Sequence, residues 1–251
     1  MTDLILRSDK NGAATLTLNR PDKLNALTVE MFVELDAHVR AIAVATDKVG
    51  LVIVRGAGRC FSAGHDLADI ATGEKLPEPF YQSKVIERLA GLPQPVISAV
   101  HGHCYTGALE LALAGDIVFA AENAKLADTH AKWALTPVWG MSQRLPRRVG
   151  TYRARELMFT CRTVGGREAT EIGLADFCVA DADFDTKLDV LAAQILANSW
   201  FSHRANKRLL VDTDGMSQAQ GLAHEIFRGQ GRGPDMAERI GGFQNKTVKQ
   251  G

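Results

Sequence analysis

The sequence predicts an α/β body followed by an all-helical C-terminal region, and three observations carry that prediction. Continuous apolar runs at 49–55, 96–100 and 117–121 alternate with stretches whose apolar residues recur at helical spacing. The stretch from Pro93 to Gly115 reads as strand, glycine-bearing turn and short apolar helix in immediate succession. From about Asp183 onward the strand pattern disappears, which places an α/β core at 1–195 and a helical region at 196–251.

Taken in order, Leu4 to Ser8 and Ala13 to Asn19 form a hairpin with Asn11-Gly12 as its turn. Arg20 to Leu27 is a loop. Thr28 is the expected N-cap of a helix in which Met31, Phe32, Leu35, Val39 and Ile42 share one face through about Thr46. Val49 to Arg55 is a strand, and it runs into Gly56-Ala57-Gly58. A dinucleotide fingerprint would need glycine at position 61, where Phe61 stands. A helix is expected to start near Asp66, another spans Phe80 to Leu89, and strands follow at Val96 to Val100 and Ile117 to Ala121. Tyr152 to Thr160 and Glu168 to Ile172 read as helix, and Phe177 to Ala180 as the last strand. Beyond them Leu188, Leu191, Ile195 and Leu196 make one amphipathic face, and helices follow at His203 to Val211, Gln218 to Phe227 and Met236 to Phe243.

Composition excludes several function classes. The chain of 251 residues has a formal net charge of zero and no basic cluster, so it does not read as a nucleic-acid binder. Its apolar runs are shorter than a bilayer span and its N-terminus lacks a secretion pattern, so a soluble, cytoplasmic protein is expected. Cys60, Cys104, Cys161 and Cys178 are scattered, as reduced packing residues are. His101-x-His103 beside Cys104 lacks a third partner at metal-ligand spacing, and no metal site is expected.

The chemistry-bearing stretch is the one from Pro93 to Gly115. Glu110 lies three residues after Gly107, on the same face of an apolar helix. Unpaired N–H groups at the helix mouth and one acid therefore face the same space, and Gly107 lets a ligand approach. A surface glutamate complementing the helix dipole would not be flanked by leucine and alanine on every side.

These segments resemble the enoyl-CoA hydratase/isomerase (crotonase) superfamily almost end to end. The matching stretches are Asn19-Arg20-Pro21 with Asn25-Ala26-Leu27, Phe61 to Leu67, His101-Gly102 with Gly107 to Leu111, Gly115-Asp116-Ile117, and Gln143-Arg144-Leu145. The resemblance implies a spiral of ββα units with a C-terminal helical oligomerisation region, assembled as a homotrimer or dimer of trimers. It also implies an acyl-CoA thioester substrate with no metal or redox cofactor. Carried across by position, the two thioester-binding N–H groups fall on His65 and Gly107, and the first of two water-gripping glutamates falls on Glu110. At the second glutamate position this chain has His130, which could hold water or carry a proton. Lys23, Ala26, Ala63, Gly64, Asp66, Leu67, Trp133 and Trp139 fall where the family binds substrate.

Hydration of a 2-enoyl-CoA is the expected reaction. Decarboxylation of a malonyl-type CoA is the alternative that His65 raises, although the loop Leu135 to Trp139 lacks the tyrosine such enzymes carry. Isomerisation through Glu110 alone, and acyl-CoA binding without turnover, also stay open.

Overall fold

A computed structural model describes residues 3–248. β1 (Ile5–Lys10) and β2 (Ala13–Leu18) pair antiparallel. Their turn residues Asn11 and Gly12 sit at φ 52° and 87°, the left-handed pair that a two-residue hairpin turn demands. α1 (Val29–Val44) begins where expected, with the Thr28 hydroxyl accepting from the Met31 N–H. β3 (Leu51–Gly56), α2 (Leu67–Thr72), α3 (Tyr81–Ala90) and β4 (Val96–Val100) follow. Next come β5 (His103–Tyr105), α4 (Gly107–Ala112), β6 (Ile117–Ala121) and β7 (Lys125–Ala127). α5 (Met141–Val149), α6 (Thr151–Thr160), β8 (Val164–Gly165), α7 (Gly166–Glu171) and β9 (Phe177–Val179) complete the α/β part. Four helices close the chain: α8 (Phe184–Leu196), α9 (Trp200–Asp212), α10 (Gln218–Arg228) and α11 (Met236–Val248).

The strands form a six-stranded sheet of order β1-β2-β3-β4-β6-β9, parallel except at the β1 edge, and a three-stranded sheet of order β5-β7-β8. Successive turns of chain place one strand in each sheet, β4 then β5 and β6 then β7, which is the spiral of ββα units. The central strands β3, β4 and β6 are buried on both faces and are almost wholly apolar, whereas β2 alternates in burial and β1 at the edge is largely exposed. Val52 and Val54 face the main core with Phe32, Phe61 and Leu111. Leu51 and Ile53 face a second cluster with Phe119 and with Phe184, Leu188 and Ala192 of α8. The ring of Trp200 fills the space above Gly12 and Gly50, where an added Cβ would stand 2.6 and 2.3 Å from it, and so ties α9 to the hairpin end of the sheet.

Three local departures from the sequence reading bear on the site. Residues 103–105 pair as a strand instead of forming part of a turn. α4 ends at Ala112, and a tight turn carries the chain to Gly115, where a Cβ would meet Ser98 Oγ at 2.5 Å. α5 has no counterpart in the sequence reading, because it contains Pro146 and buries only Met141 and Leu145, one helical turn apart.

Candidate active site

The centre of the site is the junction of β5, α4 and the loop before α2. Leu27 pairs in parallel with His65 by donating to the Gly64 carbonyl and accepting from the Asp66 N–H, at 2.8 and 2.9 Å. That pairing turns the His65 N–H to the opposite side. There it lies 3.4 Å from the point a Cβ on Gly107 would occupy. The Gly107 N–H is the first of α4, so no helical carbonyl precedes it. Neither N–H has an acceptor among the described residues, so both can donate to a ligand. Glycine is required at both corners. A Cβ on Gly107 would come within 2.4 Å of the Trp139 ring. Gly64, at φ +105°, would bring one within 2.6 Å of the Tyr105 carbonyl. Thr106 also has positive φ, 53°, and is held by its N–H to the Ala127 carbonyl at 2.8 Å and by a hydroxyl contact with Thr129.

Glu110 is 1 % exposed. Its Oε1 accepts from the N–H groups of Trp139 and Met141 at 2.9 and 3.0 Å, so the start of α5 fixes one carboxylate oxygen. Its Oε2 stands 3.6 Å from His130 Nε2. Burial pushes the Glu110 carboxyl above the usual range, while the Met141 N–H, His130 and the Trp139 N–H act in the opposite direction. His130 Nδ1 contacts Asp128 Oδ1 at 2.6 Å, and the same oxygen accepts from the His130 N–H at 3.1 Å. Both Asp128 and His130 are buried. With Nδ1 donating to Asp128, Nε2 is the nitrogen turned to Glu110. The row Asp128, His130, Glu110 can thus hold and pass a proton.

A cavity of about 430 Å³ opens onto these groups and is lined by His65, Gly107, Glu110, His130 and Trp139 among others. The Trp139 ring lies 4.6 Å from that of His65 and 5.0 Å from that of Phe32, centroid to centroid, and it closes one wall. A neighbouring cavity of about 250 Å³ shares His65 and Thr106 with the first and is lined by Ala63, Leu67 and the half-exposed Trp133. Lys23, Ala26, Gly64 and Asp66 line neither cavity. Lys23 is exposed. Asp66 caps α2 through the Ala68 N–H at 3.0 Å and pairs with Arg20 at 3.0 Å, while the Ala26 carbonyl accepts from the same guanidinium at 2.7 Å. These contacts clamp the loop that aims the His65 N–H. His101 and His103 go to separate partners, the Gly58 carbonyl and the Tyr105 hydroxyl, each at 3.0 Å.

Two carboxylates at the site were not singled out from sequence. Asp128 is one, and its Asp-x-His spacing to His130 is the signal that could have found it. The other is Glu74, whose Oε1 meets His65 Nε2 at 2.6 Å and whose Oε2 accepts from the Gln82 amide at 2.9 Å.

The enoyl-CoA hydratase/isomerase family profile matches residues 8–227. The chain belongs to that family. Among curated relatives, YngF of Bacillus subtilis, named for the same hydratase/isomerase group, is 36% identical over 98% of this chain and 97% of its own length. The 1,2-epoxyphenylacetyl-CoA isomerase of Escherichia coli K12 is 32% identical, over 100% of this chain and 98% of its own. Among solved structures, a Thermobifida fusca YX protein in complex with acetoacetyl-CoA superposes with a TM-score of 0.82 at 30% identity, covering 89% of this chain and 92% of that one. The family is therefore established for this chain, while its relatives are named for more than one reaction.

Proposed function

We propose that this member of the family hydrates 2-enoyl-CoA thioesters. The observation that supports the reading is the placement of the His65 and Gly107 N–H groups beside a buried Glu110–His130 pair. The thioester oxygen would take hydrogen bonds from the two N–H groups, which draws electrons from the double bond and stabilises the enolate. Glu110, as carboxylate, would take a proton from water as the water oxygen bonds to C3. His130, as imidazolium braced by Asp128, would give its Nε2 proton to C2. One proton then sits on Glu110 instead of His130, and its transfer between facing Oε2 and Nε2 restores the starting state. Water's oxygen, with one hydrogen, ends on C3, and its second hydrogen replaces the one delivered to C2. Acyl-CoA as the substrate class agrees with the ligand of the Thermobifida fusca structure and with the name of the Escherichia coli relative.

Decarboxylation fits less well. The His65 imidazole, which would have to receive a substrate carboxylate, already faces the carboxylate of Glu74. The hydratase reading is tested by incubating purified protein with crotonyl-CoA and longer 2-enoyl-CoAs and following the loss of enoyl absorbance. Turnover in the wild type that collapses in Glu110→Gln supports it, and near-full turnover in that variant refutes the role given to Glu110.

We also infer that the region 196–251, of which 249–251 lie outside the described residues, serves as a homotrimer or dimer-of-trimers contact region. Leu210, Leu222, Ile226 and Phe227 present large apolar side chains at the surface, which supports it. Sedimentation equilibrium checks this, a monomer being the contrary result. No helix among the described residues is long and apolar enough to cross a membrane.

A further inference from the structure

The cavity holds a second carboxylate that the proton chemistry does not use. Glu74 lines it from the loop after α2, and its two oxygens take one contact each, from the His65 ring and from Gln82 on α3. Gln82 is 3% exposed and anchors the arrangement from the core side. A carboxylate can accept about four hydrogen bonds, so Glu74 keeps acceptor capacity after these two. The cavity it lines also carries the apolar side chains of Ile70, Leu135, Val138 and Trp139, with Thr106 and Thr136 among them. Burial and then the carboxyl groups of Asp66, Glu30 and Glu74 push the nearby Asp69 carboxyl up, with Arg20 acting against them.

From this arrangement we propose that Glu74 is a specificity-determining residue that selects acyl-CoA thioesters whose acyl chain carries a hydroxyl donor, and that it rejects chains ending in a carboxylate. The inference rests on the reading of the cavity as an acyl-CoA site, but not on the reaction performed there. A plain alkyl chain filling the cavity strips water from Glu74 and gives nothing in return, which is the situation in which a site built for a hydroxyl discriminates against the analogue lacking one. A hydroxyl restores the lost hydrogen bond to a charged acceptor. A second carboxylate adds like-charge repulsion at low dielectric to the same loss.

The test is calorimetric binding of saturated acyl-CoAs, which cannot be turned over by hydration. Chains of about four to six carbons carry a terminal methyl, hydroxyl or carboxylate, a size range suited to a pocket of this volume. In the wild type the hydroxyl-bearing chain should bind at least about tenfold tighter than the methyl-ended chain of equal length, with the carboxylate-ended chain weakest. In Glu74→Gln the hydroxyl preference should shrink, and the carboxylate-ended chain should gain at least about tenfold. Should that variant fail to fold, the wild-type order alone decides. Equal binding of the three chain types, affinity ratios left unchanged by Glu74→Gln, or no binding of any acyl-CoA would each overturn the proposal. If the order holds while 2-enoyl-CoAs are not hydrated, the proposed reaction falls and this inference stands. Hydration with no such order gives the reverse.

Discussion

Two carboxylates in this cavity each face an imidazole, and they are held in different ways. Glu110 sits on α4 with one oxygen fixed by two main-chain N–H groups, while its other oxygen lies 3.6 Å from His130 Nε2. Glu74 sits on a loop, in direct contact with His65 at 2.6 Å, and its second oxygen is held by a side-chain amide. The main chain cannot be displaced by substrate, so one Glu110 oxygen is held in place while the other is left turned toward His130 Nε2. Side-chain partners can be exchanged for a ligand hydroxyl. The first arrangement suits repeated proton transfer, and the second suits recognition.

Glu110→Gln should break the comparison most strongly. It preserves an oxygen that can accept from Trp139 and Met141 but removes the base, so turnover of 2-enoyl-CoA should fall about 10³-fold while the thermal midpoint near pH 8 does not drop. Steady-state kinetics and a melting curve on the same preparation check both halves. His130→Ala should cost about 10²-fold in kcat. Asp128→Asn should cost about tenfold or more, because an amide can accept as well as donate and no longer fixes the ring tautomer. A structural role alone for Asp128 would leave the shape of the pH–rate profile unchanged, whereas a positioning role moves it.

The pH response separates Glu110 further, through a smaller effect. Activity that needs the Glu110 carboxylate should lose its acid limb at a pH above the ordinary carboxylate range, because burial raises this group. Stability should move the other way. The folded chain keeps the Glu110 proton over a window in which the unfolded chain has released it, so this contribution is fully present below the unfolded value. It is lost as pH rises through the native value. In Glu110→Gln that slope should flatten, as measured by chemical denaturation at a series of pH values.

How much of this was legible in the sequence depended on the range of the contact. Gly107 and Glu110 could be paired from helix spacing alone, since one short helix carries both. The hairpin turn at Asn11-Gly12 and the Thr28 cap were legible for the same reason, being local backbone chemistry. His65 could be reached only through its motif, because its N–H is aimed by a bridge to Leu27, on a segment far earlier in the chain. Asp128 offered only its Asp-x-His spacing to His130, and Glu74 gave no pattern at all. Each acquires its meaning from a partner the fold delivers: His130 turned inward in one case, and Gln82 presented by α3 in the other. β7 and β8, of three and two residues, are too short to show a period, and α5 was hidden by Pro146 and its basic face.

The most direct measurement is mass spectrometry of the product formed from crotonyl-CoA in water enriched in both deuterium and heavy oxygen. Addition across the double bond by Glu110 and His130 should give an intact thioester with heavy oxygen at C3 and a single deuterium at C2. Exchange of deuterium into unhydrated enoyl-CoA without heavy oxygen, or release of free coenzyme A with heavy oxygen in the acid, would contradict it.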